Sequence, residues 1–280
     1  LVALRRDIIA YFKRDFRDAK SMYKATRGFV TEAAKKKEEG LVVEELLTTK
    51  SSLFHQAYGL IENAFKEGIA ETKWFMRECL KGKIAGASFP LVNHLIILRS
   101  GNEVLAVLYG QYMVRSNVGL IGYFVSKGPK VIGNLTIALL KRMYDHLFLS
   151  FQNDSRRHSF GSVWLYISEL EEEKGKIKDS SEAKIMRIAM KMYGGIPLDF
   201  DYYLYPLGVN FTKNTKPIMT ILFALSPHGR INGLSRSDLR KVLITLFNDI
   251  YGPEDPLKFY EMTLNSFRNK PFIGIKPGIQ

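Results

Sequence analysis

Lys127, Lys130 and Gly133 stand between an apolar run, Val118 to Val125, and an amphipathic run from about Leu135 to Leu147. A strand that passes through a glycine loop into a helix N-terminus makes an anion site from backbone alone. The loop N–H groups and those of the first helical turn have no internal partners, and the helix dipole adds partial positive charge there. Two lysines bring full charges to the same place, so a phosphate-bearing ligand is expected. The spacing excludes two kinds of phosphate binder. No Gly-Lys-Ser/Thr follows four residues after a glycine, as a P-loop requires. Nor are there three closely spaced glycines with an acid about 20 residues on, the dinucleotide fingerprint.

The rest of the chain must position that loop. Leu4, Ile8, Phe12, Phe16, Ala19 and Tyr23 recur at helical steps, with Arg5, Arg6, Lys13, Arg14, Arg17, Lys20 and Lys24 on the other faces. Residues 1–40 are therefore read as a basic helical extension that packs its stripe on the parent domain. A short strand is expected over Leu41 to Leu47. A helix capped by Thr49 or Ser51 follows, and then a second helix over about Glu71 to Leu80. Leu91 to Leu98 and Val104 to Tyr112 read as a hairpin turning at Ser100-Gly101-Asn102. After the loop and its helix come a strand over Ser162 to Ser168 and a helix from Ser180 to Tyr193, stopped by Gly194-Gly195. Phe200 to Tyr205 and Pro217 to Leu225 close the set as strands. Ser235 or Ser237 caps a further helix to about Ile250, and another helix follows Pro256.

Composition bounds the function. At 280 residues and 46% hydrophobic, the chain can bury a large core. A single cysteine, Cys79, excludes an internal disulfide framework and a cysteine-based zinc site, and its scarcity fits a cytoplasmic location. No signal-peptide pattern is visible, and the longest apolar run, Ile218 to Leu225, is far too short to span a membrane. The histidines at 55, 94, 146, 158 and 228 show no metal-ligand spacing, so no metal is expected. No Gly-x-Ser-x-Gly elbow is present. The balance of 41 Lys+Arg against 28 Asp+Glu, formally +13, implies an anionic partner. The basic residues are scattered, with no RNP-type motif.

Lys130-Val131-Ile132-Gly133-Asn134-Leu135, followed by Thr136, Ile137, Ala138, Leu139 and Leu140, resembles the pyrophosphate loop of the GCN5-related N-acetyltransferase (GNAT) superfamily. The family pattern is Arg/Gln-x-x-Gly-x-Gly/Ala followed by a Leu-Leu helix. Lys130 replaces the Arg or Gln, Gly133 matches, and Leu135 stands where a second small residue is usual, which crowds the approach of backbone to phosphate. The element order is also similar to that of the family, over roughly residues 41–226. The resemblance implies an α/β (α+β) fold: a mixed, mostly antiparallel central sheet flanked by helices. Residues 1–40 and 227–280 are then helical N- and C-terminal extensions.

The resemblance also implies chemistry. In GNAT enzymes the fourth and fifth strands splay apart, and the pantetheine arm of acyl-CoA lies in the gap like a missing strand. Here that pair is Val118 to Val125 and Ser162 to Ser168, and Gly119 and Gly122 fit a bulge or a close ligand approach. Acetyl-CoA or another acyl-CoA is the implied co-substrate. Its binding residues would be Tyr123, Phe124, Val125, Lys127, Lys130, Val131, Ile132, Gly133, Asn134 and Leu135. A backbone N–H near Tyr123 or Phe124 would polarise the thioester, and an amine would attack directly. The base would be a carboxylate or histidine near the cleft: His94, Glu169, Asp199 or Asp201. The acid is implied to be Tyr193, displaced from the family's Tyr-x-Lys-x-Gly-Phe pattern. Tyr112, Tyr202, Tyr203, Tyr205 and Phe211 are candidates for an aromatic acceptor cleft. Two other readings stand beside this one: the same fold using an acidic acyl-carrier protein or long-chain acyl donors, and a non-catalytic basic module for nucleic acid or acidic membrane.

Overall fold

The computed structural model describes residues 40–64, 76, 91–128, 131, 136–173, 176–177, 180–204, 216–250 and 257–279. The expected N-terminal helix, the 71–80 helix apart from Met76, and Cys79 lie outside them.

Four antiparallel strands come first: β1 (Leu41–Glu45), β2 (Leu91–Ser100), β3 (Glu103–Met113) and β4 (Val118–Ser126). Gly101 takes φ +55 in the two-residue loop of the β2–β3 hairpin, a conformation that favours glycine. Helix α1 (Ser52–Ala64) is capped by Ser51, whose Oγ accepts from Phe54 N at 3.2 Å. Ser51, rather than Thr49, is thus the cap. Helix α2 (Ile137–Arg157) leads to β5 (Leu165–Glu173), which lies parallel to β4. Then come β6 (Lys176–Ile177), α3 (Ser181–Met192), β7 (Ile196–Pro197), β8 (Tyr202–Leu204) and β9 (Ile218–Leu225). The sheet order is β1-β2-β3-β4-β5-β9-β7, with β6 on β5 and β8 on β9. The C-terminal part adds β10 (Leu234–Ser235), α4 (Arg236–Thr245), a π-turn (Leu246–Ile250), α5 (Leu257–Ser266) and β11 (Phe272–Ile273). Ser235 is the cap of α4, its Oγ accepting from Asp238 N at 3.1 Å.

Two elements run beyond their expected ends. Helix α2 continues ten residues past Leu147 because its buried stripe continues at helical spacing through Ser150, Phe151, Asp154 and Ser155. Most of those residues are polar, which hides the stripe from a hydrophobicity reading. Strand β5 continues past its expected end at Ser168 and through the acidic run. Pairing with β9 as far as Glu171↔Thr220 holds it extended.

The two faces of the sheet differ. Helices α2 and α3 cover one face, burying Ile96, Leu108, Ile121, Phe124, Tyr166 and Phe223 against Leu139, Met143, Leu147 and Met186. The other face carries two separate clusters. Helix α1 and Met76 cover Leu95, Ile97, Tyr109 and Val125. Helix α4 covers Leu120, Leu165, Ile167 and Leu222 with Leu239, Val242 and Leu243. Residues 227–279 therefore share a core with the sheet.

Candidate active site

The boundary between those two clusters is where the sheet opens. The β4–β5 ladder pairs Val118↔Leu165, Gly119↔Tyr166, Leu120↔Ile167 and Ile121↔Ser168, then stops. Both strands run on, β4 to Ser126 on β3 and β5 to Glu173, so a wedge opens between them. Just past its apex β4 bulges: Leu108 faces Phe124 while Gly110 faces Ile121, so Gly122 and Tyr123 together oppose Tyr109. Such a bulge turns the backbone and re-aims its N–H groups. Gly122 suits the bulge, because a Cβ there would lie 2.9 Å from Tyr109 Cδ1. Gly119 serves packing: its Cβ would lie 2.4 Å from the Phe151 ring of α2.

The N-terminus of α2 is built locally. Thr136 caps α2, its Oγ1 accepting from Leu139 N at 3.1 Å. Val131 N donates to Gly128 O at 3.0 Å, which holds the start of the loop. Lys127 N donates to Leu105 O at 2.8 Å and its ammonium pairs with Glu103, so that charge is bound to the β3 edge. Lys130, Ile132, Gly133, Asn134 and Leu135 lie outside the described residues. Phe124 and Val125 are buried on opposite faces, and Tyr123 stacks on Tyr109 with ring centres 5.5 Å apart.

Glu169 is the first β5 residue past the apex. By alternation from Ile167 it faces the same side as α1 and α4. Its Oε1 accepts from the Tyr202 hydroxyl, and its strand neighbour is Leu222. Across the wedge, Asn93 Oδ1 accepts from Tyr109 OH at 2.8 Å and from Gln111 Nε2 at 3.0 Å. Sequence reading missed this amide pair; the only signal was two polar residues inside otherwise apolar strands.

Buried polar atoms without a hydrogen-bond partner cost about 1–3 kcal/mol each and call for an explanation. Among the described residues there are five: Gln111 Oε1, Ser168 Oγ, Thr220 Oγ1, Ser116 Oγ and Asp249 Oδ2. The first three surround the wedge. Ser168 closes its apex, Gln111 lies beside Leu120, and Thr220 opposes both Glu171 and Tyr202.

The other expected site residues are placed elsewhere. His94 is 5% exposed beneath α2. Its Nδ1 lies 2.6 Å from Glu45 Oε1 and its Nε2 2.8 Å from Asp154 Oδ2, so both ring nitrogens are engaged. Burial pulls its pKa down, but the hydrogen bonds to Asp154 and Glu45 outweigh this and hold it above the ordinary value. The Phe151 ring is 5.4 Å away, and the same ring lies against Gly110 and Gly119. Tyr193, the C-cap of α3, donates its hydroxyl to Asp145 Oδ1 at 2.6 Å and to Lys141 O at 3.1 Å. Burial, with the Asp145 carboxylate adding to it, raises the phenol's pKa far above its usual range. Asp199 is held by Lys270 Nζ at 3.1 Å, and the backbone of Asp201 by Ser266. Tyr112 is buried under α2, its hydroxyl on Asn117 and its pKa pushed up to about 12 by burial. Only Tyr202, of the candidate aromatic cleft, meets Glu169; Tyr205 and Phe211 lie outside the described residues. No group of three or more potential metal ligands occurs among the described residues.

No known family profile matches the chain, and no curated protein does. Solved structures do. An acetyltransferase from Streptococcus agalactiae is 12% identical, with a TM-score of 0.37 over 67% of this chain and 99% of its own. Ard1 from Thermoplasma volcanium is 13% identical, with a TM-score of 0.36 over 66% and 98%. A Bacillus subtilis acetyltransferase in complex with CoA is 14% identical, with a TM-score of 0.35 over 66% and 98%. The mixed, mostly antiparallel sheet flanked by helices, and the fourth and fifth strands that part beyond Ile121↔Ser168, are what the sequence resemblance implies.

Proposed function

We propose that the protein is an acyl-CoA-dependent N-acyltransferase. The observation that carries this reading is the wedge: a parallel ladder that ends at Ile121↔Ser168 while both strands continue. The pantetheine arm would extend the two strand edges with its own amides, as in strand addition. The pyrophosphate would sit at the N-terminus of α2 with the loop of Lys130 to Leu135. A backbone N–H of the bulge, at Tyr123 or Phe124, would face the thioester oxygen and stabilise the oxyanion.

The amine enters from the face that carries Glu169. Glu169, oriented by the Tyr202 hydroxyl, takes the proton directly or through one water. The neutral nitrogen then attacks the carbonyl carbon. Collapse of the tetrahedral intermediate breaks the C–S bond, and the thiolate must be protonated. Ser168 is the hydroxyl at the apex, fully buried and with no partner of its own. It relays to the thiolate the second proton of the attacking nitrogen, which the amide product must lose. Tyr193, held by Asp145 and Lys141, then fixes α3 on α2.

The test is thermal stabilisation by CoA and acetyl-CoA, comparing the intact chain with Gly133→Trp. Ligand at about 100 times its Kd should add about 2.7 kcal/mol, read as a melting shift. A shift lost in the variant supports the reading. No shift in the intact chain overturns it and directs attention to carrier-protein donors.

A further inference from the structure

Where α2 ends, the chain presents two arginines and an aromatic ring to solvent. Arg156, Arg157, His158, Ser159, Phe160 and Gly161 are all exposed, and Phe160 keeps 49% of its surface in water. A second exposed run, Pro227 to Arg230, follows β9 and meets the first, since Ser162 Oγ is 3.3 Å from His228 Nε2. Residues 155–162 and 226–232 hold three arginines, two histidines and no carboxylate. The carboxylate just before them, Asp154, is buried. Both runs leave the sheet at the Tyr166↔Leu225 pair, and three residues of β5, roughly 10 Å, separate that pair from Glu169. The surface is therefore distinct from the wedge.

Its parts are fixed by the fold itself. His158 N donates to Asp154 O and Phe160 N to Ser155 O, each at 2.9 Å. Ser159 and Gly161, on either side of the ring, take φ +65 and +80. That left-handed backbone is unfavourable for a serine, and between the two turns the Phe160 ring is left in solvent. Asp154 Oδ1 holds Arg157 Nη1 at 3.1 Å, yet the Arg157 side chain remains 77% exposed, so its guanidinium is oriented without being covered. A lone exposed phenylalanine is ordinary. One held in place among arginines, with no carboxylate beside it in either segment, combines a stacking platform with anion donors.

We propose that this surface docks single-stranded nucleic acid, one base stacking on Phe160 and the flanking phosphates pairing with Arg156, Arg157 and Arg230. Arginine offers each phosphate a bidentate fork. The ring needs an unstacked base, because a base inside a duplex has its faces covered by its neighbours. An acidic membrane fits less well: one ring amid serines, glycine and histidines has little apolar area to bury. An acidic protein would pair with the arginines and leave the ring unused. The formal charge of +13 draws a polyanion toward the molecule, and this surface sets where it binds.

Fluorescence anisotropy of the full chain with labelled oligouridylate and oligothymidylate of about 12 nucleotides tests this. Binding should weaken with salt, with a slope of log K against log salt of about −2 for three phosphates at roughly −0.7 each. Phe160→Ala should weaken binding about tenfold, as when one stacked base is lost, and Phe160→Tyr, which keeps a stacking face, should restore it. Arg156→Gln combined with Arg230→Gln should reduce the slope by roughly 1.4. These are surface changes, and the melting temperatures should match that of the intact chain. No binding at about 50 mM salt overturns the proposal. So does binding that the Phe160 and arginine variants leave unchanged, which would place the nucleic acid elsewhere on this basic chain. Tighter binding to vesicles of acidic lipid, lost in Phe160→Ala, overturns it too and makes the surface a membrane contact.

Discussion

Glu169 and His94 show how surroundings set the work of an ionisable side chain. Glu169 stands half-buried beside the open ladder, with the Tyr202 hydroxyl on one carboxylate oxygen, and its proton traffic is the proposed chemistry. Glu169→Gln should lower kcat about 100-fold, at the lower end for loss of a general base, with the acetyl-CoA melting shift unchanged. An equal loss in the melting shift would show that Glu169 only holds the fold. His94 sits between two carboxylates. Its raised pKa means that the folded state holds the proton more tightly, so its contribution is complete below about pH 6.5 and lost as pH rises through the folded value. Glu45 is the reverse. Burial raises its pKa, but hydrogen bonds from His94 and Ser150 carry it below the usual carboxylate value. That contribution is present above about pH 4.5 and lost as pH falls through the depressed value. The network is strongest between those limits. In urea unfolding at a series of pH values, the intact chain should lose stability as pH rises above about 6.5. His94→Gln should flatten that slope and cost about 3 kcal/mol at the acid end, as when a buried ion pair loses one member.

Helix α2 is the element on which the site depends. Its first turns hold Tyr193 through Lys141 and Asp145, and its last turns hold β1 and β2 through Ser150, Asp154 and His94. Two glycines let it lie close to the sheet. A Cβ at Gly119 would be 2.4 Å from Phe151, and one at Gly110 would be 2.8 Å from the same ring. Gly119→Ala should therefore cost about 1–3 kcal/mol through overpacking, read as a lowered Tm. It should also weaken CoA stabilisation, because lifting α2 moves its N-terminus. Thr136→Ala removes the cap and should cost about 1 kcal/mol. An unchanged Tm in Gly119→Ala would show that Phe151 swings away freely.

For the whole molecule, the decisive feature is that residues 227–279 are part of the core. Leu239, Val242, Leu243 and Leu246 cover Leu120, Leu165, Ile167 and Leu222, and Leu198 bridges to Ile275. A chain ending at residue 226 keeps every residue of the wedge but exposes that face. It should be insoluble or bind a hydrophobic dye strongly, and it should give no CoA-dependent melting shift. A soluble, CoA-binding truncation would show the extension to be separable. No helix among the described residues is long and apolar enough to cross a membrane.

The sequence by itself determined β1 to β4, the start of β5, β8 and β9, the caps at Ser51 and Ser235 as members of stated pairs, and the candidacy of Glu169. Those features rest on period-two apolar runs, turn glycines and hydroxyl caps, all of which are local. Tertiary structure decided the rest. The full length of α2 needed a sheet to bury polar residues that hydropathy discounts. The acidic run became strand because β9 lay beside it. His94 was taken between Glu45 and Asp154, 49 and 60 residues away, and Tyr193 by Asp145 at a separation of 48. Ser168, Ser116 and Asp249 carried no signal in the sequence, and Gln111 only that of a polar residue in an apolar strand. A buried polar atom without a partner is a property of everything packed around it, and only the folded chain puts those surroundings in place.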